Sequence, residues 1–129
     1  MAGSGERVMI KHSDQFDLDG LIGELKRFDL GDYVEFDFAG MSIGSYSSYR
    51  GYYEDLCLIP ERRLTRCAEL LIELSRRDGD VFEGWKGGAY KMSGDSALWV
   101  AFEGCTSGTI ITGVDKVCST VVIRTRKAE

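Results

Sequence analysis

The chain has 129 residues, 43% of them hydrophobic and 29% charged, which suits a single globular domain with a core of its own. Its 16 Lys and Arg against 21 Asp and Glu leave a net charge of −5, which argues against a phosphate-backbone surface; no nucleic acid polymer is expected as partner. No apolar run is long enough to span a membrane and no secretion signal opens the chain, so a cytoplasmic, non-membrane protein is expected. Residues 1–12 read as a flexible arm, 13–125 as the domain and 126–129 as a frayed end.

Asp17 to Phe28 reads as a short amphipathic helix, with Leu18, Leu21, Ile22, Leu25 and Phe28 at helical spacing and Asp17 or Ser13 as its cap. Leu30-Gly31-Asp32 stops it. Tyr33 to Phe38 alternates, Val34, Phe36 and Phe38 against Tyr33, Glu35 and Asp37, and predicts a half-buried strand. Ala39 to Ser48 is rich in Gly and Ser and predicts a loop. Tyr52 to Ile59 predicts a second strand ended by Pro60. A second helix is expected from Arg62 or Thr65 to Arg77, its inner stripe being Leu64, Cys67, Ala68, Leu71 and Leu74, widened by Leu70 and Ile72. Val81 to Gly94 suggests a short irregular hairpin. Ala97 to Glu103 alternates again. Gly104 to Gly108 reads as a turn, and Thr109–Thr112 and Val117–Thr125 as two strands joined through Gly113-Val114-Asp115-Lys116. The fold class is therefore α+β: an antiparallel or mixed sheet of about five to six strands with two helices packed on one face.

Two segments stand out chemically. Ser45-Tyr46-Ser47-Ser48-Tyr49-Arg50-Gly51-Tyr52-Tyr53-Glu54-Asp55 places four tyrosines, an arginine and a glycine in eleven residues. Phe82-Glu83-Gly84-Trp85-Lys86-Gly87-Gly88-Ala89-Tyr90-Lys91-Met92 repeats that mixture of flat rings, cations and glycines. Arg50 could grip a phosphate bidentately while Tyr49 or Tyr52 stacks on a base, and Lys86 and Lys91 could act as point charges beside the Trp85 ring. The competing reading is packing: tyrosines on a sheet, Arg50 paired with Glu54 or Asp55, and glycines forming a bulge or tight turn with Trp85 and Tyr90 in the core. A subunit interface is a third, since Tyr and Arg are enriched there.

Enzymatic patterns are thin. Neither a Walker loop nor a dinucleotide fingerprint is present. His12, the one histidine, is the only histidine base for a Ser or Cys nucleophile. Glu54, Asp55 and Asp95 are possible Mg²⁺ carboxylates, yet neighbours on a strand point to opposite faces. Cys57, Cys67, Cys105 and Cys118 lack CxxC spacing and read as reduced; Cys105 sits in a glycine-bounded turn with no cation nearby to activate it. No catalytic residue, metal or cofactor is expected.

The strings Ser48-Tyr49-Arg50-Gly51-Tyr52-Tyr53-Glu54-Asp55-Leu56 and Phe82-Glu83-Gly84-Trp85-Lys86-Gly87-Gly88, followed by Met92 and Leu98-Trp99-Val100-Ala101, resemble small bacteriophage-encoded proteins over about residues 30–114. More distantly, the size and element order resemble the anti-Thoeris phage sponges. That resemblance implies an oligomeric protein that binds a cyclic ADP-ribose-type immune signal without cleaving it, through aromatic and arginine side chains. No residue transfers from that family; Tyr49, Arg50, Tyr52, Trp85, Lys86, Lys91 and Arg124 are ligand candidates on chemistry alone. The expectation is sequestration of a nucleotide-derived signal in a host cytosol by a homo-oligomer. The alternatives are a protein-binding inhibitor of a host defence enzyme and a small nucleotide phosphohydrolase.

Overall fold

The computed structural model describes residues 15–38, 40–48, 55–83, 89–101 and 108–127. Helix α1 spans Leu18–Leu25. Asp17 caps it, its carboxylate accepting the Gly20 N–H at 2.8 Å. The first helical N–H groups, which have no partner inside a helix, find one outside it: Leu18 donates to the Ser96 carbonyl at 3.0 Å and Asp19 to that of Gly94 at 2.8 Å. Gly20 and Gly23, which weaken a helix relative to alanine, are offset by docking of its start and burial of Leu18, Leu21 and Leu25.

The strands that follow are β1 (Tyr33–Phe36), β2 (Ser42–Ser48) and β3 (Leu56–Glu61). Helix α2 covers Cys67–Ser75, and Glu69 reaches back to accept the Arg66 N–H at its start. Then come β4 (Val81–Glu83), β5 (Ala89–Lys91), β6 (Leu98–Val100), β7 (Thr109–Val117) and β8 (Thr120–Lys127). Six strands form one mixed sheet in the order β1-β8-β7-β6-β3-β2, while β4 and β5 make a separate antiparallel pair. Within the sheet β1 runs parallel to β8 and β3 parallel to β6; the other pairings are antiparallel.

The two end strands of that order, β1 and β2, are consecutive in the chain, and the Phe36 N–H donates to the Met41 carbonyl at 2.7 Å across their connection. The sheet therefore curls back on itself, almost into a barrel. Its inward side chains, among them Val34, Phe36, Ile43, Leu56, Leu58, Leu98, Val100, Ile111, Val121 and Ile123, join Leu18, Leu21 and Leu25 of α1 and Cys67, Leu70 and Leu74 of α2 in one core. The α+β class and a mixed sheet of six strands are as expected, but two helices packed on one face are not what forms. The helices instead contribute to a core that the curled sheet wraps.

Further expectations are corrected. Residues 42–48 are a strand, not part of a loop, because β2 pairs with β3 along its length. A bulge at Gly44 allows it: a Cβ there would lie 2.2 Å from the Glu61 side chain. Pro60 is inside β3 rather than beyond it; it pairs with Ile43 of β2, and the β6 ladder has already stopped at Leu58 and Val100. The β7–β8 turn is Cys118-Ser119, with Cys118 at φ 58°, and Gly113 is a bulge inside β7. Arg126 and Lys127 are paired in β8 rather than frayed.

The inner face of α2 is also rotated from the expected stripe. Leu70 is fully buried beside Cys67 and Leu74, whereas Leu64, which precedes the helix, is 79% exposed and Ile72 is 54% exposed. Leu70→Ala is therefore expected to cost about 2–5 kcal/mol in chemical denaturation, and Leu64→Ala no more than about 0.5 kcal/mol. Equal losses would contradict this helix orientation.

Candidate functional site

Each of the two aromatic segments connects the strands of a hairpin. Tyr49, Arg50 and Tyr52 fall between Ser48 of β2 and Leu56 of β3, which face each other in the ladder. Trp85 and Lys86 fall between Glu83 of β4 and Ala89 of β5, also a register pair. All five residues lie outside the described residues, as do Cys105 and His12. Their stems are described, and β4 lies against β2, so the two hairpins are neighbours.

Lys91 closes the second hairpin on β5, opposite Val81, and is exposed. Arg124 is elsewhere: it follows buried Ile123 on β8, so it faces outward, and its Nε lies 2.9 Å from Asp115 Oδ2 on β7. It borders an open depression shared with Glu35 and Asp37, an acidic setting for an anion-binding residue. Lys91 and Arg124 thus stand on different sheets, and the described structure does not bring them together.

The hairpin stems are held by a polar cluster that sequence patterns did not single out. Tyr46 of β2 turns inward and donates its hydroxyl to Glu73 Oε1 of α2 at 3.0 Å. Glu73 Oε2 takes Arg63 Nη2 at 3.0 Å, and Arg63 Nη1 also donates to the Ile43 carbonyl at 3.2 Å. The Arg77 guanidinium lies over the Tyr46 ring, 4.8 Å from its centroid, and pairs with Asp80, the residue before β4. One tyrosine therefore links β2, α2 and the entrance to β4. The only sequence signal was Glu73 and Arg77 four residues apart, which by itself suggests a helix surface pair.

Burial raises the Tyr46 hydroxyl's pKa well above its ordinary value of 10.0, and the Glu73 charge and hydrogen bond push it the same way; Arg77 and Arg63 only partly oppose them. A second inward anchor sits where the tyrosine-rich segment ends. Asp55 is fully buried, and Trp99 Nε1 donates to its Oδ2 at 2.8 Å. That carboxylate is part of the sheet's packing. Burial, with Asp32 adding to it, raises the Cys67 pKa, and its thiol donates to the Leu25 carbonyl at 3.2 Å; it behaves as a small apolar core group.

Among the described residues, no group of three or more His, Cys, Asp or Glu side chains could hold a metal ion, and no helix is long and apolar enough to cross a membrane. Comparison with protein-family models, curated proteins and solved structures finds nothing that matches this chain.

Tyr46 is one of six tyrosines, and it should stay protonated through an alkaline titration of the folded protein. At about pH 11, Tyr46→Phe and the parent chain are expected to show the same tyrosinate absorbance near 295 nm. Because the folded state binds this proton more tightly than the unfolded chain, its contribution to stability is complete below about pH 10 and is lost as pH rises beyond that. The parent's denaturation midpoint should therefore fall more steeply than the variant's above pH 10. A lower tyrosinate signal in Tyr46→Phe would mean that the hydroxyl ionises normally.

Proposed function

We propose that this protein binds and sequesters a small, planar, anionic, nucleotide-derived signal without breaking it. The observation that supports this reading is the placement of both aromatic and cationic segments as connections of two neighbouring hairpins, β2–β3 and β4–β5. Connections carried on rigid stems are where binding residues concentrate. In this reading Arg50 takes a phosphate in a charge-assisted, bidentate contact, and Tyr49, Tyr52 and Trp85 supply stacking faces. Lys86 and Lys91 add positive charge around the same ligand. The Tyr46–Glu73–Arg63 cluster holds the stems beneath, so less ordering is needed when the ligand arrives.

Sequestration requires tight, enclosed binding and no poised acid or base. A homo-oligomer would let two copies wall one ligand, the arrangement through which a small domain can enclose a dinucleotide. In this reading the setting is the cytosol of an infected bacterium.

A second reading, a protein-binding inhibitor, is favoured by a different surface. Leu30 (59% exposed), Tyr33 and Leu64 flank the seam where Tyr33 bridges to Arg66, and the Arg66 guanidinium stacks 4.4 Å over the Tyr33 ring. Exposed aromatic and arginine side chains beside leucines are the composition of a protein contact.

The test is incubation with a panel of cyclic ADP-ribose-type nucleotides, removal of free ligand by filtration, then denaturation. Recovery of the intact nucleotide is the expected result, and Arg50→Ala should weaken capture by at least about 1.5 kcal/mol. Conversion of the nucleotide to product would replace this reading with an enzyme. No capture, together with a host protein retained through the Tyr33 and Arg66 surface, would favour the inhibitor.

A further inference from the structure

The curled sheet has an end opposite the Ser48–Leu56 pair, and side-chain alternation shows what lies there. On β8, Val121 and Ile123 point into the core, and Thr125 and Lys127 continue the same face. On β7, Thr109 continues the face of buried Ile111, and on β3, Pro60 continues that of Leu56 and Leu58. Val100 ends the inward row of β6. Beyond β1, Phe38 continues the row of Val34 and Phe36, its ring stacked on Phe36 at 5.1 Å between centroids and 9° between planes.

These five inward rows end around one cavity of about 290 Å³, whose lining includes Phe38, Pro60, Val100, Thr109, Thr125 and Lys127, with Ala101 and Arg126 beside them. The mouth of a curled sheet is a recurrent place for small-molecule sites. Its chemistry is divided. Phe38, Pro60 and Val100 make an apolar wall. Thr109 and Lys127 are register partners on β7 and β8, so a hydroxyl and an ammonium group share one side. Arg126 Nη1 donates to the Lys127 carbonyl at 2.7 Å, which holds the guanidinium along the same rim. Asp37 is outside the lining; it accepts the Thr125 N–H at 2.9 Å and the Thr125 hydroxyl at 2.7 Å.

We infer that this mouth is a second binding site, for a small anion carrying one apolar ring: an aromatic carboxylate or an aryl phosphate monoester. The ring lies against Phe38, Pro60 and Val100, and the anionic group meets Lys127, Arg126 and the Thr109 hydroxyl. The cavity is at the lower end of the roughly 300–1,000 Å³ typical of small-molecule sites, which admits a single ring rather than a dinucleotide. The inference uses no residue of either hairpin connection and stands apart from the proposed sequestration.

Phenyl phosphate is the probe, titrated into the isotope-labelled full chain, with inorganic phosphate and benzyl alcohol testing the two halves separately. Saturable amide shifts centred on Thr109, Thr125 and Lys127 are expected, and each half-ligand should bind on the order of tenfold more weakly or worse. Thr109→Phe, which fills the cavity, and Lys127→Glu, which reverses a charge at an exposed position, should each weaken phenyl phosphate on the order of tenfold. Arg50→Ala should leave it unchanged. Shifts that do not saturate, shifts centred on residues 43–48 or Lys91, equal binding of inorganic phosphate, or indifference to Lys127→Glu would each overturn the site.

Discussion

The parallel pairing of β3 with β6 is the constraint on which the rest of the molecule depends. Both strands are buried on both faces: Leu56, Leu58, Leu98 and Val100 look into the main core, while Cys57, Ile59, Trp99, Ala101 and Ile110 of β7 form a second cluster behind it. Two parallel strands cannot be joined by a tight turn, so the chain must cross over between them. The crossover is α2 followed by the β4–β5 hairpin, and its placement brings α2 onto the core. The start of α1 is tied to the same pair through the bridge of Asp17 to Ala97 and the Gln15 side chain donating to the Leu98 carbonyl at 2.8 Å.

That crossover also decides what lies next to what. It sets β4 against β2 although more than thirty residues of chain separate them in places, and the charged groups at the contact are satisfied from three elements at once. Tyr46 carries the contact: its ring supports the Arg77 guanidinium and its hydroxyl meets Glu73. In the proposed readings, binding falls to the hairpins and to the sheet mouth, while the packed interior positions them.

Much of this was legible in the sequence. The alternation from Tyr33 reads out as exposed and buried positions in β1, Asp17 caps α1, and strands are present at 56–59 and 98–100 within the segments expected to form them. The misreadings of β2 and β7 share a cause. In β2 the inward residues Ile43 and Tyr46 are three apart, and in β7 so are Ile111 and Val114, because a bulge shifts the register at Gly44 and at Gly113. A two-residue period broken by a bulge looks like no period at all, and the glycine that enables the bulge looks like a turn. The α2 stripe was misjudged for another reason: Leu64 fits helical spacing to the residues after it, but the helix begins only at Cys67. The Tyr46 cluster and the sheet mouth join residues far apart in the chain, and no local pattern announces such meetings.

Strand β1 takes its ladder partner from β8, Tyr33 to Thr120 through Phe36 to Ile123. The ladder of β1 can therefore close only after β8 has been made. Loop closure across so much chain is entropically costly and slow. Until then, Val34 and Phe36 lack Val121 and Ile123, their register partners in the core.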